Sequence, residues 1–182
     1  MELKPLLMGR ALVLSAPRPE DATTMAAWTQ DDQYLRLVDT DIARPLAASA
    51  FEQRSVPDYE FRLRRIEDDI LVGFVALFAI EWGNRTAKMA IGIGEPRFRG
   101  MGYGTEAIHL LLHYAFLELN LHRVGLDVIE YNETAIKLYR KMGFEVEGRR
   151  RQAVYRQGQR YDVIDMGILE SEWTARSEGL MK

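Results

Sequence analysis

Three glycines alternate at positions 100, 102 and 104, and the clearest helical stripe of the chain begins directly after them. Ile108, Leu111, Leu112, Ala115, Phe116 and Leu119 recur at the spacing of a helix that buries one face. Ahead of the glycines, Thr86 to Gly94 alternates through Met89, Ile91 and Ile93, as a strand does. A strand feeding a helix through Arg99-Gly100-Met101-Gly102-Tyr103-Gly104-Thr105 gathers backbone N–H groups at the positive end of the helix dipole, where an anion is favoured. Glycine lets the backbone come close to that anion, and Arg99 offers a charge-assisted bond to a phosphate. The chemistry implied is binding of a diphosphate; the alternative is a glycine-rich connection with no ligand. The turn is not a Walker A loop, because no Gly-Lys-Ser/Thr closes it. Nor is it the dinucleotide fingerprint, because the spacing is G-x-G-x-G rather than G-x-G-x-x-G.

The other elements follow from patterning. Arg10 to Ser15 reads as a first strand, stopped by Pro17-Arg18-Pro19; Glu20-Asp21 lead into a helix from Ala22 to Trp28. Gln30 to Pro45 reads as irregular, and Leu46 to Arg54 as a short helix. Tyr59 to Arg65 alternates, with Tyr59, Phe61 and Leu63 on one face. Ile70 to Ile80 is almost wholly apolar, as a central strand covered on both faces would be. Trp82-Gly83-Asn84-Arg85 makes the turn into the next strand. After the long helix, Asn120 suits a left-handed exit. Val124, Leu126 and Val128 mark a short strand. Asn132 is placed to cap a helix that carries Ala135, Leu138, Tyr139 and Met142 on one face, and Gly143 stops it. Phe144 to Gly148 and Tyr161 to Leu169 read as a closing strand pair. The polar tail beyond Glu170 is expected to fray. Strands and helices alternate from Thr86 to Phe144, an α/β pattern.

Composition narrows the function classes. A chain of 182 residues suits one domain, 1–182, with a core over 10–170. The net charge of -3 argues against a broad grip on nucleic acid, which needs a basic face. No cysteine is present, so disulfides, a thiolate nucleophile and a cysteine zinc site are excluded; with three histidines (His109, His113, His122), no metal is expected. Met1 to Met8 lacks the pattern of a signal peptide. The apolar run Ile70 to Ile80 is about half the roughly 20 residues that span a bilayer, so no membrane role is expected. The chain reads as cytoplasmic. His109 and His113 lie off the apolar stripe and read as surface residues.

Two motifs together carry a resemblance. R-G-x-G-x-G at a strand-to-helix junction resembles the pyrophosphate-binding motif of the GNAT acetyltransferase superfamily. Downstream, Asn132-Glu133-Thr134-Ala135-Ile136-Lys137-Leu138-Tyr139-Arg140-Lys141-Met142-Gly143-Phe144 resembles its second signature, N-x-x-A-x-x-L-Y-x-x-x-G-F. Trp82-Gly83-Asn84-Arg85 and the segment from Glu147-Gly148-Arg149 through Tyr161-Asp162-Val163 are similar to the ribosomal-protein alanine and spermidine N-acetyltransferases. The resemblance extends from Arg10 to about residue Glu170. It implies an α/β (α+β) fold: a mixed, mostly antiparallel sheet of about seven strands with splayed mid-sheet strands and about four helices. It is also compatible with a homodimer.

The reaction implied moves an acetyl group from acetyl-CoA to a primary amine of a peptide N-terminus, a polyamine or a small molecule, by direct attack in a ternary complex. The family's pantetheine strand maps onto Gly92, Ile93 and Gly94, where a backbone N–H would face the thioester oxygen. The pyrophosphate maps onto Arg99, Gly100, Met101, Gly102, Tyr103, Gly104 and Thr105, with Asn132, Tyr139 and Lys141 also placed on the cofactor. Tyr139, a core aromatic when read alone, becomes the general acid for the departing thiolate. Glu81, at the end of the apolar strand, is the candidate base, with Glu130 or a water chain as alternatives. Asp31, Asp32, Asp39 and Asp41 either draw a cationic acceptor or form a solvated face. A CoA-binding sensor or interaction module without catalysis is the competing function.

Overall fold

The computed structural model describes residues 6–52 and 59–179. Its strands are β1 (Leu12–Ser15), β2 (Tyr59–Arg65), β3 (Leu71–Glu81), β4 (Thr86–Ile93), β5 (Arg123–Ile129), β6 (Glu145–Arg156) and β7 (Gln159–Leu169). Its helices are α1 (Asp21–Trp28), α2 (Asp32–Val38), α3 (Ala48–Glu52), α4 (Tyr103–His113), α5 (Glu133–Met142) and α6 (Glu170–Gly179). The strands form a mixed sheet in the order β1-β2-β3-β4-β5-β7-β6. Among the described residues there are six α-helices against about four expected, and the difference, α2 and α6, lies in the two least patterned segments. Contacts divide the described chain into two compact units: one runs to Phe78 and includes Ala90–Tyr114, and the other combines Ala79–Met89 with the chain from Ala115 onward.

In the first unit, β1 pairs antiparallel with β2, and β2 with β3. Met25, Trp28, Tyr34, Leu71 and Phe74 form a core cluster, with Val38, Phe51 and Ala90 packed on it. This cluster explains α2, which falls inside Gln30–Pro45 where an irregular segment was expected. Asp31 caps the helix by accepting from Gln33 N–H at 2.9 Å, and Tyr34 supplies the buried anchor. One aromatic and one cap make seven residues helical, too short a run to show periodicity. The short helix expected at Leu46–Arg54 is α3; Gln53 and Arg54 lie outside the described residues. β3 is buried from Leu71 to Leu77 and then emerges, so only its first part is covered on both faces.

β2 departs from simple amphipathicity. Glu60, Arg62 and Arg64 are buried alongside Leu63. Asp21, at the start of α1, accepts from Arg64 and from the Arg18 N–H (2.8 Å), and its other contact is Arg62 Nε at 3.5 Å. Arg62 in turn donates to Glu60. Two acids and two bases neutralise each other, the condition under which buried charge is tolerated.

In the second unit, β5 pairs antiparallel with β7, and β7 with β6. The two-residue turn Gln157-Gly158 has positive φ at both positions, 49° and 79°, matching the right-handed twist of the hairpin. β4 enters parallel to β5, with Thr86, Ala87 and Lys88 opposite Arg123, Val124 and Gly125. After α4 the chain passes through one π turn, Tyr114–Glu118, and leaves at Asn120 with φ 54°. Arg85 holds that exit, donating to the Asn120 carbonyl at 2.7 Å and to its side-chain oxygen at 2.9 Å. Within the tail expected to fray, Glu170–Gly179 forms α6, because Trp173 is buried against Phe116 at 5.4 Å between centroids and Glu172 accepts from the Leu169 N–H at 2.9 Å; residues 180–182 lie outside the described residues.

Candidate active site

The glycine turn begins with a 3-10 segment, Pro96–Phe98. Phe98 is buried against Tyr103 at 6.3 Å, and the Arg97 guanidinium lies over its ring at 4.6 Å. Gly100 and Gly102 then take φ values of 77° and 86°. A Cβ at either position would meet nothing within 4 Å, so conformation rather than crowding demands glycine there. Gly102 starts α4 without a side-chain cap, and the first ladder bond runs from Glu106 N–H to Gly102 C=O at 3.1 Å. The N–H groups of Tyr103, Gly104 and Thr105 therefore precede the ladder. Open space, a left-handed backbone and uncapped donors are the requirements of a diphosphate cradle, and the residues fit that ligand. Met101 beside it is 57% exposed. Glu106 anchors the turn from behind, accepting from Ala11 N–H (2.9 Å) and Leu12 N–H (3.1 Å).

The strand entering the turn is closely approached by side chains of the protein itself. A Cβ on Gly92 would lie 2.6 Å from the Phe74 ring and 3.0 Å from Val38. One on Gly94 would lie 2.0 Å from Trp28. Ile93 between them is half-buried.

Arg99 does not project freely. Its Nη2 donates to Asp31 Oδ2 and to the Gly94 carbonyl, both at 2.8 Å, and its Nη1 donates to Gln33 Oε1 at 3.2 Å. Burial would raise the Asp31 pKa, but the bonds from Arg99 and from the Gln33 and Tyr34 N–H groups prevail and hold it below the ordinary carboxylate value. Asp31 and Gln33 are the residues that sequence reasoning missed in this role, since both lie in the segment expected to be irregular.

In the second unit, Asn132 caps α5 by accepting from the Ala135 N–H at 3.2 Å, and Gly143 ends the helix at φ 103°. Tyr139 is the buried residue of α5 at 8% exposure, with its ring edge-on to Phe144 at 5.8 Å. Burial pushes its phenol up to about 12. Lys141 is exposed on the last turn.

Comparison with known proteins decides what these two segments belong to. Residues 11–145 match the model of the acetyltransferase (GNAT) domain. The SPbeta prophage-derived uncharacterized N-acetyltransferase YokL of Bacillus subtilis is 31% identical over 169 residues, 91% of this chain and 93% of that protein. The chain belongs to the GNAT acetyltransferase family. The spermidine N(1)-acetyltransferase of Vibrio cholerae is 37% identical over 108 residues, 59% of this chain and 62% of that protein. The crystal structure of spermidine N-acetyltransferase from Vibrio cholerae in complex with CoA and spermine superposes with a TM-score of 0.81, at 25% identity over 90% of this chain and 98% of that one. Membership makes the chain an N-acetyltransferase and gives the α/β fold its family name.

The remaining acidic and histidine residues of this acetyltransferase fall into clear places. Glu81 is exposed at the end of β3, where its Oε2 accepts from Asn84 Nδ2 at 2.6 Å and closes the Trp82–Arg85 turn. Glu130 accepts from the Asp162 N–H at 2.8 Å and from Arg149, which also donates to Asp162. That engagement makes Glu130 a strand tie. Asp32 pairs with Arg36 at 2.6 Å, and Asp39 accepts from the Thr40 and Asp41 N–H groups. His109 is exposed and His113 half-buried, with ring centroids 6.4 Å apart. Among the described residues no cluster of three acidic or histidine side chains is arranged for a metal ion, and no helix is long and apolar enough to cross a membrane.

Proposed function

We propose that this GNAT protein transfers the acetyl group of acetyl-CoA to a primary amine of a peptide N-terminus, polyamine or small molecule by direct attack in a ternary complex. The observation that carries the reading is the glycine turn: two left-handed glycines open onto the uncapped N-terminus of an eleven-residue helix. That cradle takes the pyrophosphate, with Arg99 to Thr105 around it, and the backbone of Gly92, Ile93 and Gly94 takes the pantetheine arm. Asn132 and Lys141 complete the cofactor contacts, on the strength of their match to the second motif. The amine nitrogen forms its bond to the thioester carbon, the C–S bond breaks, and the thiolate needs one proton.

Tyr139 supplies that proton. A phenol at about 12 is fully protonated at neutral pH. An ordinary thiol in water titrates near 8.5, so transfer to it from this buried phenol would run uphill by about 3.5 pH units. The desolvation that lifts the phenol also lifts a thiolate leaving beside it, which narrows the gap. Glu81 is the proposed base. Its Oε2 is occupied by Asn84, so Oε1 would receive the amine proton. The cytoplasmic setting and the homodimer suggested by the resemblance belong to the same proposal, and light scattering at twice the chain mass would support the dimer.

The deciding assay follows thiol release from acetyl-CoA with spermidine, peptides with free N-termini, aminoglycosides and small amino acids. One amine class should stimulate release. If none does while acetyl-CoA still raises the melting temperature, the protein is a CoA-binding module and the catalytic reading fails. Tyr139→Phe should cut kcat about 100-fold or more at unchanged acetyl-CoA affinity, and an unchanged kcat would remove it from the acid role.

A further inference from the structure

We propose that Asp31 is a positioning residue for the nucleotide-binding turn, acting through Arg99, and that Arg99 braces the turn rather than gripping the phosphate. The inference rests on the acetyl-CoA reading above. One Asp31 carboxylate does two jobs: Oδ1 accepts from the Gln33 N–H and caps α2, while Oδ2 holds Arg99. The Arg99 fork is committed on three sides, to Asp31, to Gln33 and to the Gly94 carbonyl. The pair is about a quarter exposed on the arginine and 30% on the aspartate, so it is not a loose surface contact.

The consequence falls on the loop between β4 and α4. Gly94 is fixed twice: Trp28 lies against its α-carbon and Arg99 takes its carbonyl. The Gly94 N–H donates to the Val72 carbonyl at 2.9 Å, which holds the strand end from the other side. The segment then closes on itself, with Phe98 N–H on Glu95 C=O and Arg99 N–H on Pro96 C=O, both at 3.0 Å. Gly100 follows immediately, at the first left-handed φ. Where Arg99 is held therefore decides where the donors from Gly100 to Thr105 begin. Planar, multidentate engagement is what a guanidinium provides and an ammonium does not.

The two roles for Arg99 give opposite signs for Asp31→Asn. If Arg99 braces the turn, removing its charge partner loosens the cradle; if Arg99 is a phosphate ligand that Asp31 merely competes for, removal frees it and binding tightens. Calorimetry with acetyl-CoA should show about tenfold weaker binding for Asp31→Asn. Arg99→Lys should lose a similar factor, and the double variant should lose no more than either single one. KM for acetyl-CoA should rise with kcat retained. Amide exchange over residues 100–105 of the ligand-free protein should be faster in Asp31→Asn than in the parent. Equal or tighter binding by Asp31→Asn, or unchanged exchange at the turn, overturns the proposal. Should the parent bind no acetyl-CoA, the functional reading falls on its own, and the exchange comparison still decides the positioning role.

Discussion

Helices α4 and α5 each begin beside one of the two family motifs, and they begin by opposite means. α5 closes its own N-terminus: Asn132 bonds the Ala135 N–H three residues on. α4 leaves its N-terminus open, starting at Gly102 with no side-chain cap. What stabilises α4's start comes from far along the chain: Ala11 and Leu12 on Glu106, Trp28 on Gly94, and Asp31 on Arg99. The difference has a physical reason. A capping side chain would occupy the donors that an anion needs, so an anion-binding helix must be braced from behind and not from in front.

That contrast is broken most severely at Gly94. In Gly94→Ala the new Cβ would sit 2.0 Å from a Trp28 ring that is itself locked in the Met25, Tyr34 and Phe74 cluster. The ring has nowhere to go, so the substitution should destabilise by about 3 kcal/mol or more, read from urea midpoints. A loss under about 1 kcal/mol would show that the brace yields easily.

A similar magnitude is expected from Tyr139, through pH. Its folded value of about 12 lies above the ordinary 10.0, because burial penalises the phenolate. A raised pKa means that this contribution to stability is fully present below pH 10 and is lost as pH rises from 10 to 12. The slope integrates to roughly 3 kcal/mol. Unfolding free energies of Tyr139→Phe should therefore fall less steeply than those of the parent over that window. Parallel curves would place the phenol in water.

These two residues also show what the sequence makes legible. Everything at α5 was readable because cap, stripe and stop lie within thirteen consecutive residues and act on each other locally. The left-handed exit at Asn120 and the αL glycine at 143 were readable for the same reason. At α4 the glycine turn was readable, but the destination of Arg99 was not: its partner lies 68 residues earlier, in a helix too short to carry a period. The buried charges of β2 escaped likewise, since Glu60, Arg62 and Arg64 alternate as a solvated face would, and the two arginines are neutralised by Glu60 and by Asp21 on a different element. The family resemblance marked the motif positions; by itself it does not separate a residue that would touch ligand from one held by the protein itself, as Arg99 is by Asp31.

Gly102→Ala probes the open end directly. Space is not limiting there, so the cost is the left-handed φ of 86° alone, about 1–2 kcal/mol. The fold should survive, and thermal shifts with acetyl-CoA should shrink as the donors of Tyr103 to Thr105 turn away. Full retention of the ligand-induced shift would separate the glycine turn from cofactor binding.

The smallest effect is expected at the closed end. Asn132→Ala removes one side-chain acceptor from the α5 N-terminus and should cost about 1 kcal/mol. Glu133 remains in the first turn and keeps its favourable position near the helix dipole, which limits the loss. Asn132→Asp should restore most of the stability, because a carboxylate caps at least as well and adds charge of the right sign. Stability and acetyl-CoA affinity then separate two roles for Asn132. If Asn132 only caps, Asp rescues both; if its amide also donates to the pantetheine arm, Asp rescues stability but leaves affinity low, since a carboxylate has no N–H to give.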